Sequence, residues 1–194
     1  MSKTKFLLHG GMLKYKDERN KTYFQELTKD LSDGDKVLFI GFARPDLEDR
    51  QQVYERDKEY IVSNSNISVD VVNATQENLL EQLAQAKAVH VTGGETDQLV
   101  QIMRGFPEFK KLVEGKTVGG SSAGACMLCE YYYFSSTDSV LEGLGLLPIK
   151  VLVHYGSSEY KANDEAVKKL EVVPGNLEVL KLEECAWVKR EVEL

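Results

Sequence analysis

Short apolar runs alternate with longer polar, helix-like stretches along most of this chain, and few architectures accommodate such a pattern. Phe6–His9 predicts a first strand ending at Gly10–Gly11. Lys36–Phe42 (KVLFIGF) predicts a buried strand introduced by the turn residues Ser32-Asp33-Gly34-Asp35. Ile67–Val72, Ala88–Thr92 and Lys116–Gly120 continue the series. Helices are expected between them: over Lys21–Leu31, where Phe24, Leu27 and Leu31 recur at helical spacing, over Leu47–Val62, over Thr75–Ala86 with Thr75 as its cap, and over Thr96–Arg104 and Pro107–Val113. Strands alternating with helices at this spacing imply an α/β fold, a three-layer, doubly wound, mostly parallel sheet with helices on both faces. Ligands of such sheets sit at the carboxyl ends of strands, where strand order reverses.

Beyond residue 130 the rhythm changes. Tyr131–Ser135 and the run around Lys150–Val153 read as strands, Asn163–Leu170 as a short helix, and Glu178–Leu182 with Ala186–Lys189 as a closing strand pair. No repeat, low-complexity tract or Pro/Ser-rich linker interrupts the 194 residues, so 1–194 reads as a single domain. The formal charge of −7 argues against nucleic acid, whose phosphates need a basic face. No apolar run approaches a membrane span, and the N-terminal one is too short for a signal segment, so no membrane association and a cytoplasmic location are expected. Three cysteines are few and odd in number, which fits a reducing compartment. Cys126 and Cys129 fall on the helix expected after residue 122 and read as buried small residues, because zinc would need further ligands.

Chemistry concentrates at Gly120-Ser121-Ser122-Ala123-Gly124, where a strand runs into a helix. This is the G-x-S-x-G nucleophile-elbow pattern in its strand–turn–helix setting. A nucleophile projecting from a tight turn needs small residues two positions before and after it, here Gly120 and Gly124. Serine is a weak nucleophile and requires a base. Of the three histidines, His90 lies inside a strand and reads as core, and His9 ends the first strand. His154 closes an apolar strand at the end where parallel α/β sites form, and is the best base candidate. An oxyanion hole needs two converging N–H groups. Ala123 follows the nucleophile, and Gly94, in Thr92-Gly93-Gly94-Glu95-Thr96, supplies the other, with Gly93, Glu95 and Thr96 expected to line the substrate.

VTGGETDQL, GSSAGA and GLGLLP…H, in this order, resemble the dipeptidase E (aspartyl dipeptidase) and cyanophycinase family of serine peptidases, over roughly Lys36 to Val188. The resemblance implies a fold like the class I glutamine amidotransferase domain, flavodoxin-like, with serine in place of cysteine at the elbow. It implies hydrolysis of short peptides without metal or cofactor, by a monomer or homodimer, with Ser122 attacking and His154 as base. The family's late acidic segment matches Lys181–Trp187 and assigns the triad acid to Glu184, with Glu183 and Asp138 as alternatives. The order Ser–His–Glu differs from the Ser–acid–His order of the α/β-hydrolases. Three departures stand out: Glu95 replaces the family's Asn, no arginine follows His154 to hold an acidic substrate side chain (Lys161 is the only cation there), and the chain stops soon after Trp187. They leave a non-catalytic binding module, or an amidase acting on a non-peptide amide, as rivals.

Overall fold

The computed structural model describes residues 3–194. The apolar runs form strands β1 (Thr4–His9), β2 (Lys36–Ile40), β3 (Asp70–Asn73), β4 (Ala88–Val91) and β5 (Thr117–Ser121). Helices α1 (Glu18–Thr28), α2 (Leu47–Asn64), α3 (Leu79–Gln85), α4 (Thr96–Arg104) and α5 (Phe109–Leu112) stand between them. These strands make a parallel array in the order β1-β5-β4-β2-β3, and β10 (Trp187–Val192) adds itself antiparallel to the free edge of β1.

Because side chains alternate across a strand, each strand feeds two cores. Leu7, Val37, Phe39 and Ala88 point to the layer containing Tyr23, Phe24 and Leu27 of α1 and Val53, Tyr54 and Ile61 of α2. Phe6, Leu8, Leu38, Ile40, Val89 and Val91 point the other way, onto Leu79 and Leu83 of α3, Leu99 and Met103 of α4, and the short helix α6 (Ala123–Leu128). Both faces are thus covered, and the strands read as continuous apolar runs for that reason.

The chain then builds a second, four-stranded sheet from β6 (Cys129–Phe134), β7 (Ser139–Glu142), β8 (Leu147–Leu152) and β9 (Glu178–Lys181), in the order β7-β6-β8-β9. Only the β6–β7 hairpin in it is antiparallel. Tyr132, Leu147, Ile149 and Val151 pack into the same core as α4 and α6, while α7 (Asp164–Glu171) covers the outer face through Ala166 and Leu170. The architecture is α/β with mixed, mostly parallel sheets and flanking helices.

Two local expectations need correction. Glu178–Leu182 and Ala186–Lys189 do form strands, but not a pair: β9 joins β8 and β10 joins β1, in different sheets. Thr75 does not cap α3, which begins four residues later, at Leu79, behind the N-cap Asn78. The Thr75 hydroxyl instead accepts from the Asn78 side chain.

Candidate active site

Strand β5 ends at Ser121 and α6 begins at Ala123, so Ser122 alone forms the junction, with φ 50° and ψ −108°. Such a backbone costs a non-glycine residue about 1–3 kcal/mol and persists only where its surroundings hold it. Here the Ser122 N–H donates to the His9 carbonyl at 2.9 Å, and the Cys126 N–H donates back to the Ser122 carbonyl at 3.0 Å. The flanking glycines are required by contact: a Cβ on Gly120 would lie 2.5 Å from the Gly124 carbonyl carbon, and one on Gly124 would lie 2.3 Å from the Val91 oxygen.

His154 follows β8 and is buried. Its Nε2 lies 3.0 Å from Ser122 Oγ, and its Nδ1 lies 3.3 Å from Glu184 Oε1. With Nε2 facing the hydroxyl as acceptor, Nδ1 carries the proton and donates to Glu184. Burial pushes the imidazole below the ordinary histidine value, while the Glu184 carboxylate pulls in the opposite direction. The Tyr160 ring stacks on the imidazole at 3.9 Å between centroids, with 17° between planes.

The Gly10–Gly11 turn after β1 ties these pieces together. The Gly10 carbonyl accepts from His154 N–H at 3.0 Å, and the Gly11 carbonyl accepts from Cys185 N–H at 2.9 Å, next to Glu184. Gly11, at φ 112°, runs so close to the imidazole that a Cβ would sit 2.2 Å from its Cε1. His9 supports this turn. Burial lowers its pKa to about 4, so it is neutral, its Nδ1 accepts from Gly11 N–H at 3.0 Å and its Nε2 donates to Asn20 Oδ1 at 2.8 Å.

The other acids do not reach the imidazole. Asp138 sits in the β6–β7 turn, bonded to Tyr133 Oη at 2.7 Å and paired with Lys169 at 2.6 Å. Glu183 is exposed. His90 is core, as its place inside a strand predicts: it is buried between Tyr23 Oη at 3.1 Å and Asp57 Oδ2 at 3.2 Å.

The loop after β4 closes over the elbow. A Cβ on Gly93 would lie 3.1 Å from Ser122 Cβ, and neither Gly93 nor Gly94 donates its N–H to a backbone acceptor among the described residues. Thr96 is buried in the first turn of α4, and Glu95 is exposed just before it. Ser122, His154, Tyr160 and Gly93–Glu95 line a cavity of about 370 Å³. Lys14, Arg44 and Arg56 line it too, three cations that sequence reasoning missed. Arg44 was findable, since it lies just past the carboxyl end of β2. Arg56, in mid-helix, bonds to its neighbour, the buried Asp57, and carried no local signal that it would face the cavity. Two of these cations are already paired, Arg44 with Asp49 at 3.2 Å and Arg56 with Asp57 at 2.6 Å.

Among the described residues, no group of three or more His, Cys, Asp or Glu side chains is disposed to hold a metal ion, and no helix is long and apolar enough to cross a membrane. Cys126 and Cys129 are buried, and burial pushes the Cys126 thiol up to about 12.

A mostly parallel sheet with Ser122 in the tight turn after β5 defines an α/β architecture, and the family follows from the whole sequence. The model of peptidase family S51 matches residues 6–193, so the chain belongs to that family, the dipeptidase E family, and is a serine-type peptidase. Among solved structures, a peptidase from an acI-B1 Actinobacterium is similar at 17% identity and a TM-score of 0.69, covering 97% of this chain and 83% of its own. A Listeria monocytogenes EGD-e protein assigned to peptidase E is similar at 19% identity and a TM-score of 0.68, with full coverage of both chains. At these identities the likeness speaks for the fold. A comparison with curated proteins found no match.

Proposed function

We propose that this peptidase hydrolyses short peptides with Ser122 as nucleophile, His154 as general base, Glu184 as the orienting acid, and the Gly94 and Ala123 N–H groups as the oxyanion hole. The observation carrying the reading is the 3.0 Å approach of Ser122 Oγ to His154 Nε2, on an elbow whose backbone strain is held by packing.

Ser122 Oγ bonds to the scissile carbonyl carbon as its proton passes to His154 Nε2. Negative charge moves to the carbonyl oxygen, where the two N–H groups meet it. Glu184 stabilises the imidazolium through Nδ1–H. The C–N bond then breaks as His154 returns the proton to the departing amine. Water, deprotonated by His154, attacks the acyl carbon, and collapse releases the carboxylic product and restores the Ser122 hydroxyl. The cavity suits a ligand of a few residues rather than a folded protein. Lys14 offers positive charge to a carboxylate of a short peptide.

The decisive measurement is fluorophosphonate labelling alongside peptide hydrolysis. Stoichiometric labelling at Ser122 is expected, absent in Ser122→Ala and His154→Ala, with kcat of Ser122→Ala reduced by about 10⁴-fold or more. A Ser122→Ala variant that retains full activity on a peptide the parent cleaves defeats the proposal.

A further inference from the structure

Arg44 lines the cavity, yet its bonding is directed at the backbone beside the elbow. Its Nε donates to the Gly93 carbonyl at 2.8 Å, and its Nη1 meets Asp49 Oδ2 at 3.2 Å. One residue earlier, the Ala43 carbonyl accepts from Glu95 N–H at 2.7 Å. These two bonds bracket Gly94, whose φ is 152° and whose Cα is so close to the Ala43 oxygen that a Cβ would lie 2.2 Å from it.

We infer that Arg44 is a positioning residue that sets the Gly93–Gly94 peptide plane and so aims the Gly94 N–H at the oxyanion. The inference rests on the role proposed above for Gly94. A peptide group is planar and trans, so its C=O and N–H point in opposite directions. Holding the Gly93 oxygen on the guanidinium fixes the direction of the Gly94 N–H. A cation on the carbonyl end also polarises the peptide and strengthens the N–H as a donor. That matters most as negative charge develops, so the contribution belongs to the transition state rather than to substrate binding. The Arg44 carbonyl in turn accepts from Arg50 Nε at 2.9 Å and Nη2 at 2.7 Å, which steadies the backbone carrying it.

The test compares Arg44→Met and Arg44→Lys with the parent on a short peptide substrate and on a peptide aldehyde, which forms a tetrahedral adduct with the serine. Removing one oxyanion donor outright costs about 10²–10³ in kcat, so misaiming one should cost about 10–100-fold. Arg44→Met is expected to lose kcat in that range with KM changed by less than about threefold, to lose aldehyde affinity in proportion, and to regain part of both as Arg44→Lys, which keeps a charged donor. Asp49→Asn, which leaves Arg44 in place but unbraced, should show a smaller loss in the same direction. A raised KM with unchanged kcat in Arg44→Met overturns the inference in favour of a substrate-binding arginine, and unchanged kcat and aldehyde affinity overturn it outright. In either case, fluorophosphonate labelling of Ser122 in the parent keeps the proposed mechanism standing. Failure to label the parent removes both.

Discussion

At the scale of single residues, the site separates one acid from thirty others. Glu184 meets His154 Nδ1, whereas Asp138 is held by Tyr133 and Lys169 in an exposed turn. Glu184→Gln should therefore lower kcat while Asp138→Asn leaves it near the parent value. The Glu184 side chain is 29% exposed, so solvent shares in stabilising the imidazolium, and a loss of about 10²–10³-fold is expected rather than the larger loss of a fully buried acid. The pH profile supplies a second readout. In the proposed mechanism His154 must be neutral to accept the Ser122 proton, and burial lowers its pKa from 6.5. Hydrolysis measured as kcat/KM should then rise with pH to a half-point below 6.5 and remain above half its plateau at that pH. The Glu184 carboxylate raises the His154 pKa, so Glu184→Gln should move the half-point further down. Equal losses in the two acid variants, or a half-point that does not move, count against Glu184.

At the scale of elements, strand–turn–helix punctuation carried most of what the sequence could reveal. The tight turn at Ser122 was legible because Gly120 and Gly124 are demanded by contacts within a few residues and with the adjacent β4. The place of His154 just past a strand was legible because a strand's end can be read locally. The second sheet was not, since β6, β8 and β9 look like any apolar run and only long-range register assigns them to a separate sheet. The role of the Gly10–Gly11 turn was hidden for the same reason: its partners, His154 and Cys185, lie far along the chain. The turn's tightness makes it testable. In Gly11→Ala, a Cβ placed 2.2 Å from His154 Cε1, at a φ of 112° that alanine resists, must push the imidazole or the turn aside. A shift of about 1 Å in a catalytic group costs on the order of 100-fold in rate. Gly11→Ala should accordingly lose about two orders of magnitude in kcat while still labelling slowly with fluorophosphonate. Parent-like kcat in a folded Gly11→Ala protein would show that the turn does not position the base.

At the scale of the whole molecule, the chain leaves the six-stranded sheet once and returns once. It leaves after β5, through Ser122, and comes back between β9 and β10, through Glu184. His154 follows β8 in the second sheet, so the three groups meet only if both sheets hold their places. Strand β10 secures the return. It pairs with β1 from Thr4↔Val192 to His9↔Trp187, and the Ala186 carbonyl accepts from Gly10 N–H at 2.8 Å just before that register begins. The indole N–H of Trp187 donates to Thr22 Oγ1 of α1 at 3.2 Å, tying the edge to the helical layer. Deleting residues 187–194 would expose the N–H and C=O groups along β1, an open edge that invites pairing with other chains. It would also free the segment carrying Glu184. The deleted protein is expected to elute as aggregate in gel filtration, to lose a cooperative thermal transition, and to have no peptide hydrolysis. Elution as a single species that melts within a few degrees of the parent would mean that β1 tolerates an open edge. In that event, retained hydrolysis would further mean that Glu184 keeps its contact with His154 without the strand behind it.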